Sequence, residues 1–466
     1  MGKLLKFLLY VVTALVQLAV VAEVVLLFVD LSAYKSHLER AASDALGMDV
    51  RIDGGLRAGV LSGPHVALRD VSVRNRGADL AAVSHVRLGV DLRPLIDRRV
   101  VLGTIELRQA RLFVERAGDG TLNFERPGEK HAPPRAFDVA GFSIVRSTLH
   151  YTDRQSGARV EAEGCDVHAS RLRFAGGRSA LLWKRLSVET DVACRKIRIN
   201  SVALSDVKTS LSARRGVFEL KPVALRLFGG RGTGDVHADF TGPVARYQVR
   251  YALARLRGEE LFKDLGDKVP RGTFDLSADL AFHGKTLAAV KRSAVGEVRL
   301  RGADLVLAGI DLDRAIARFE SSQRFRFVDV GALLYAGPLG LLLSRGVSAA
   351  GAIPESGGTT HIGKLVSDWK IRNGVAHAAD VALRTTENRI GLKGRVDLVN
   401  ERFDDVVVAV IDARGCAKFL HTVRGPFRNP ELDKPGALAA LAGPMLKLFK
   451  SGECDVFYAG TVAPPT

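Results

Sequence analysis

The chain has 466 residues, with 68 Lys and Arg against 51 Asp and Glu, giving a formal net charge of +17. That length holds two or three domains' worth of core, or one elongated one. The basic balance suits anionic lipid headgroups or lipopolysaccharide phosphates, although the Arg residues are dispersed and also read simply as a solvated face. Nucleic acid is set aside as a partner, because no RNP-like aromatic set or zinc-finger spacing occurs.

Residues 7–29, FLLYVVTALVQLAVVAEVVLLFV, form one apolar span interrupted by Gln17 and Glu23. Twenty-three residues cover a bilayer core with some tilt, and Glu23 sits close enough to the outer end to lean towards the headgroups. No small-residue cleavage site follows, so the span reads as an uncleaved anchor. The tail 1–6 carries Lys3 and Lys6 and no acid, which predicts a cytoplasmic N-terminus and an exported body.

LSAYKSHLERAASDALGMDV predicts a helix ended by Gly47. Alternation then takes over. HVALRDVSVRN, HVRLGVDLRPL, GTIELRQARLFVER and TLNFER place apolar residues at every second position. The pattern returns in GVFELKPVALRLFG, GTFDLSADLAFHG, GEVRLRGADLVLAG, DVALRTTENRIGLKGRVDL and FDDVVVAVI, for about two dozen strands in all. Helices are expected at 256–267, 310–322 and 435–450. The Pro- and charge-rich RPGEKHAPPRAF reads as a linker, and AIPESGGTTHIG as a weaker boundary. The expected division is a tail 1–6, an anchor 7–29, a β unit 30–126, a linker 127–137, a central β groove 138–351 and a C-terminal β unit 352–466.

So many alternating strands create an apolar face that the few helices cannot cover. It must meet a second sheet, close into a barrel or curl into a groove filled by something apolar. The cleanest alternation, at Val86, Leu88, Val90, Leu92, Ile105 and Leu107, supplies candidate groove-lining residues; a closed sandwich core is the other reading of the same six. Cys165 with Cys194, and Cys416 with Cys454, are the natural disulfides by proximity in sequence, and the other two connectivities stay open.

The run 34–75, followed by VRLGVDLRPLIDRRVVLGTIELRQARLFVERAGDGTLNFER, resembles the N-terminal region of AsmA-family envelope proteins. The resemblance is carried by Pro94-Leu95-Ile96, Glu115-Arg116, Asp119-Gly120 and Asn123-Phe124. LRLFGGRGTGDVHADFTGP, IDLDRAIARF, FRFVDVGALLYAGPLGLLLSRG and WKIRNGVAHAADVALRTTENRIGLKGRVDL extend it along the chain. It implies a mainly β fold with a few helices: a single N-terminal transmembrane helix, a chorein-like unit, and an elongated, curled antiparallel β-sheet groove. It also implies the inner membrane of a Gram-negative bacterium, a periplasmic body, and phospholipid or another envelope lipid as partner. Modulation of outer-membrane protein assembly is the alternative, with assembly proteins as partners.

No catalytic or metal centre is expected and no cofactor is called for. GGRGTG is followed by strand-like DVHADF instead of the helix that a phosphate loop needs. The eleven His include no HExxH, and no Ser stands in a nucleophile-elbow frame.

Overall fold

The computed structural model describes Gln17 and residues 32–60, 63–90, 102–124, 137–175, 182–262, 270–322, 358–427, 430–432 and 454–465. The span 7–29 (apart from Gln17), Leu92, linker residues up to 136 and the expected helix at 435–450 lie outside them. Among the described residues no helix is long and apolar enough to cross a membrane. The chain divides into two compact units, Met1–Pro222 and Val223–Thr466.

The first unit opens with α1 (Ser32–Leu46), which ends at Gly47 with φ +67°, a left-handed stop that glycine adopts without a Cβ clash. β1 (Asp49–Ile52) and β2 (Leu56–Gly59) both pair with β3 (His65–Asn75). The ladder continues through β4 (Ala78–Val90), β5 (Leu102–Arg116), β7 (Gly141–Asp153), β8 (Arg159–Phe174), β9 (Leu186–Ile199) and β10 (Val202–Arg214). A short β6 (Phe137–Val139) joins β8. The 3₁₀ turn Leu182–Arg185 precedes β9. β11 (Val217–Leu227) follows Arg215 and Gly216, both at positive φ as a two-residue hairpin turn requires, and it contains the division between the units.

Two expectations differ from the structure of this unit. The ladder is not antiparallel throughout, because β5 and β7 run parallel. The chain between Arg116 and Gly141 therefore crosses over, and a parallel pair cannot be joined by a tight hairpin. TLNFER is not a strand either. Its described part forms a turn with one isolated bridge, Arg116 to Leu122, and further hydrogen bonds from Ala117 N to Thr121 O and Asn123 N to Glu115 O.

The second unit runs antiparallel through β12 (Gly230–Asp239), β13 (Arg246–Arg257), β15 (Thr273–His283), β16 (Val295–Ala308), β17 (Thr359–Arg372), β18 (Val375–Arg384), β19 (Arg389–Asp397), β20 (Arg402–Ile411), β21 (Ala417–Pro426) and β22 (Glu431–Leu432). β14 (Pro270–Arg271) pairs with β16. The described helices are α2 (Gly258–Leu261), α3 (Leu287–Ser293) and α4 (Leu312–Ser322). α2 falls within the helix expected at 256–267, of which 263–267 lie outside the described residues, while α4 matches its expected position closely. α3 was not expected; Thr286 caps it by accepting from Ala289 N at 3.2 Å.

The core of this unit gathers Phe274, Leu300, Leu305, Leu365, Trp369, Leu383, Ile390, Phe403 and Val408, with Leu312 and Ile316 of α4 packed among them. The opposite face of β17, β18 and β20 is covered too. Val366, Ala382 and Ile411 pack under Tyr458 and Val462 of the C-terminal segment. Cys416–Cys454 ties that segment down, and Asp380 accepts from Tyr458 Oη at 2.5 Å and Thr461 Oγ1 at 2.7 Å. Leu365, Val366 and Ser367 are consecutive and all fully buried, which requires cover on both faces.

Candidate functional site

In the first unit the alternation reverses parity once in every long strand, at neighbouring positions. β3 reads Val66-x-Leu68-x-x-Val71-x-Val73, and β5 reads Ile105-x-Leu107-x-x-Ala110-x-Leu112. β7 reads Ile144-x-x-Ser147, β8 Ala162-x-x-Cys165, β9 Cys194-x-x-Ile197 and β10 Leu204-x-x-Val207. The extra residue takes a left-handed conformation at Asp70, Gln109, Arg146, Gly164 and Asp206, with φ of 51°, 51°, 49°, 60° and 52°. An inserted residue of this kind bends its strand. Because the insertions are neighbours across the ladder, they crease the sheet along one line. Asp166 supports the crease by accepting from Arg146 N at 2.7 Å, and Ser147 Oγ accepts from Ala110 N at 2.9 Å.

Burial shows which way the crease folds. On the apolar face Leu68, Val71, Val83, Val86, Ala110, Ser147, Ala162, Cys165, Cys194 and Val207 flank it and are buried. Farther out, Val66, Leu88, Ile105, Leu149, Val167 and Val192 are only half-buried, while Ala169, Val188 and Ala213 form a small buried patch of their own. On the other face Arg69, Asp70, Arg108, Gln109, Arg146 and Asp206 are exposed. The apolar face is therefore concave and the crease is its floor. Seven strands cross it, so at about 4.8 Å per step the floor runs about 29 Å.

The concave face carries no charged side chain along this floor. Charge begins at one end, where Arg116 faces Asp153 at 3.6 Å. Burial raises the Asp153 pKa, but hydrogen bonds from Ser156 and Gln155 and the charge of Arg116 outweigh it, so the carboxyl is held below the usual range. Asn123 closes this end by donating to Phe113 O at 2.9 Å, and Asn75 donates to Asn123 O at 2.8 Å. The convex face is polar. There Asp138 accepts from Arg171 and Arg173, which hold its pKa down at about 2.

The six candidate lining residues separate in the structure. Val86, Leu88 and Leu107 join one cluster with Val50, Ile52, Leu68, Val71, Val83 and Ala110. Val90 and Ile105 border a depression of 780 Å³ at the other end of the strands, but its lining comes mainly from the polar face, including His65, Arg87, Glu106, His168 and Asp191. Leu92 lies outside the described residues. Cys165 and Cys194 are directly opposite across β8 and β9, and their disulfide forms part of the floor. The six candidates missed most of the face, which continues through β7–β10; the x-x spacing in those strands was the available signal.

A family model for the AsmA family matches residues 1–137 and 152–333, well over half of the chain. The chain belongs to the AsmA family. The AsmA match takes in α1, the creased ladder apart from most of β7, and α4, and ends before β17, so it does not reach the WKIRNG segment. The quoted AsmA-like residues Glu115-Arg116, Asp119-Gly120 and Asn123 prove to build the corner that closes one end of the crease. No curated protein and no solved structure matches this AsmA chain.

Among the described residues no group of three or more His, Cys, Asp or Glu is placed to hold a metal ion. GGRGTG resolves into a turn at Phe228 and Gly229, both at positive φ, and the start of β12. Gly232 and Gly234 leave room for the Tyr251 ring on β13; a Cβ at Gly234 would sit 2.4 Å from that ring. These glycines are thus explained by packing an aromatic side chain.

Proposed function

We propose that the protein is an inner-membrane-anchored periplasmic lipid carrier. Acyl chains lie along the creased apolar face of the first unit, and transfer of phospholipid serves maintenance of the outer membrane. One observation carries this reading: a concave face seven strands wide, free of charge along its floor and half-buried over much of the area away from it, the patch at Ala169, Val188 and Ala213 excepted. Such a face loses free energy in water at about 25 cal/mol per Å² of apolar area left exposed, and an acyl chain removes that cost. The floor, about 29 Å long, is close to the hydrocarbon thickness of a whole bilayer, so it accommodates a fully extended acyl chain. Headgroups ride at the rim, near Arg116 and the basic outer surface. Partition into the groove offsets the loss of bilayer contact, and no covalent step is assigned to the chain. Direction comes from a gradient or a partner.

The test is photocrosslinking in cells fed a diazirine-bearing fatty acid, with adducts mapped by peptide mass spectrometry. Adducts on Leu107, Ile144, Val167 and Val192, lost when Leu88 and Leu107 are both changed to Asp while the fold survives, are the expected result. Adducts absent, or spread evenly over both faces of β7–β9, would end the carrier reading. Capture of a β-rich client in place of lipid would move the protein to outer-membrane protein assembly.

A further inference from the structure

α1 carries two unlike faces. Towards the sheet, Glu39 accepts from Ile52 N at 2.8 Å, Ser43 accepts from Val50 N at 3.0 Å, and Ala42 packs on the cluster at the start of the crease. Away from the sheet, Tyr34, Leu38 and Ala41 recur at i, i+4 and i+7 and so form one stripe. That stripe is exposed: Tyr34 at 63% and Leu38 at 37%. An apolar stripe on a helix that already buries another face against its own fold calls for a second neighbour.

Chain continuity says what that neighbour is. Only Asp30 and Leu31 separate the apolar span from Ser32. Three residue steps reach at most about 11 Å, while the polar layer on each side of a bilayer is on the order of 5–8 Å deep. α1 therefore starts within or just above the headgroup layer. Tyr is a residue that suits that layer, with an apolar ring and a polar tip. Glu39 is turned inward onto β1, which leaves His37, Arg40 and Asp44 as the exposed polar residues beside the stripe.

We propose that α1 is an interfacial helix: it lays Tyr34, Leu38 and Ala41 against the surface of the bilayer that the span enters. The start of the crease, which packs on Ala42, is thereby held at headgroup level, where a lipid leaving the bilayer meets apolar side chains directly. This rests on the anchor in the preceding proposal.

The test places Trp along α1 in the full chain, reconstituted in nanodiscs of phosphatidylcholine and phosphatidylglycerol brominated high on the acyl chains. Tyr34→Trp and Leu38→Trp sample the stripe, and Ser36→Trp samples the opposite exposed flank of the same helix. The signal of Trp183 and Trp369 is subtracted using the unaltered chain. Expected is strong quenching at 34 and 38 and little at 36. Equal quenching at all three, or none at 34 and 38 while the chain stays in the nanodisc, overturns the interfacial helix and leaves the anchor standing. Loss of the chain from the nanodisc at alkaline pH overturns the anchor and this inference together. A Tyr34-to-Tyr34 crosslink between two chains in place of quenching would assign the stripe to a second copy and also overturn it.

Discussion

The two units are built from the same material, long alternating strands, and they treat their apolar faces in opposite ways. In the second unit Leu365, Val366 and Ser367 are consecutive and fully buried, because α4 and its core neighbours cover one face and the C-terminal segment covers the other. Among the described residues of the first unit the only apolar ones with no exposure at all are two alanines, Ala110 and Ala213, and the bulky side chains of β7 are no more than half-buried. Strand composition alone thus does not decide whether a sheet becomes a core or a surface. What decides it is whether the chain supplies a second layer.

This contrast can be broken by mutation, and the largest effect is expected at Trp369. It is fully buried and donates to Ser367 Oγ at 2.8 Å. Trp369→Ala should cost about 3–5 kcal/mol in urea unfolding, against about 1 kcal/mol for Ile144→Ala on the half-exposed face. Equal costs would mean that the first unit has a closed core after all. Next comes the C-terminal cover. Cys416 and Cys454 are 38 residues apart, and changing both to Ser should lower stability by about 4 kcal/mol in the chain-entropy model. Val366 and Ala382 should then gain hydrogen-exchange or labelling access while β7–β9 stay unchanged.

A pH dependence sharpens the same point. Burial raises the Asp380 pKa, but hydrogen bonds from Tyr458 and Thr461 outweigh it, so the carboxyl sits below the ordinary aspartate range. A depressed native pKa stabilises the fold above the unfolded value and loses that contribution as pH falls through the folded one. The stability gap between the unaltered chain and Asp380→Asn should therefore be constant above pH about 5 and close below about 4. A gap that persists undiminished at pH 3 would show that the carboxylate charge is irrelevant to holding the segment. The smallest effect is expected at the crease. Gln109→Gly should be neutral or stabilising by up to about 1 kcal/mol, because glycine adopts positive φ freely, whereas Gln109→Val should cost about 1–2 kcal/mol.

Much of this was legible before any coordinates. Strand content, α1 with its stop at Gly47 and α4 follow from periodicity and capping, and of three possible connectivities the structure has the one that proximity in sequence favoured. The crease was written in the chain but not read. Its x-x interruptions look like ordinary noise in a period-2 pattern, and Asp70, Gln109, Arg146 and Asp206 are not all residues that announce a left-handed turn. Only their alignment across neighbouring strands makes them one feature, and alignment is a tertiary fact. The cover of the second unit was legible only in the pairing of Cys416 with Cys454. CDVFYAGTVAPPT has no periodicity, and its place is set by a disulfide and by Asp380, 78 residues away from Tyr458.

The side-chain acceptors of α1 also bear on how copies of this molecule meet. A sheet edge with free N–H groups is a template on which another strand, from any chain, can grow, and repeated growth makes filaments. At β1 two of those groups are already engaged by Glu39 and Ser43. The helix thus acts as a stopper at the first edge of the ladder, so a protein made almost wholly of strands presents there a surface on which polymerisation does not start.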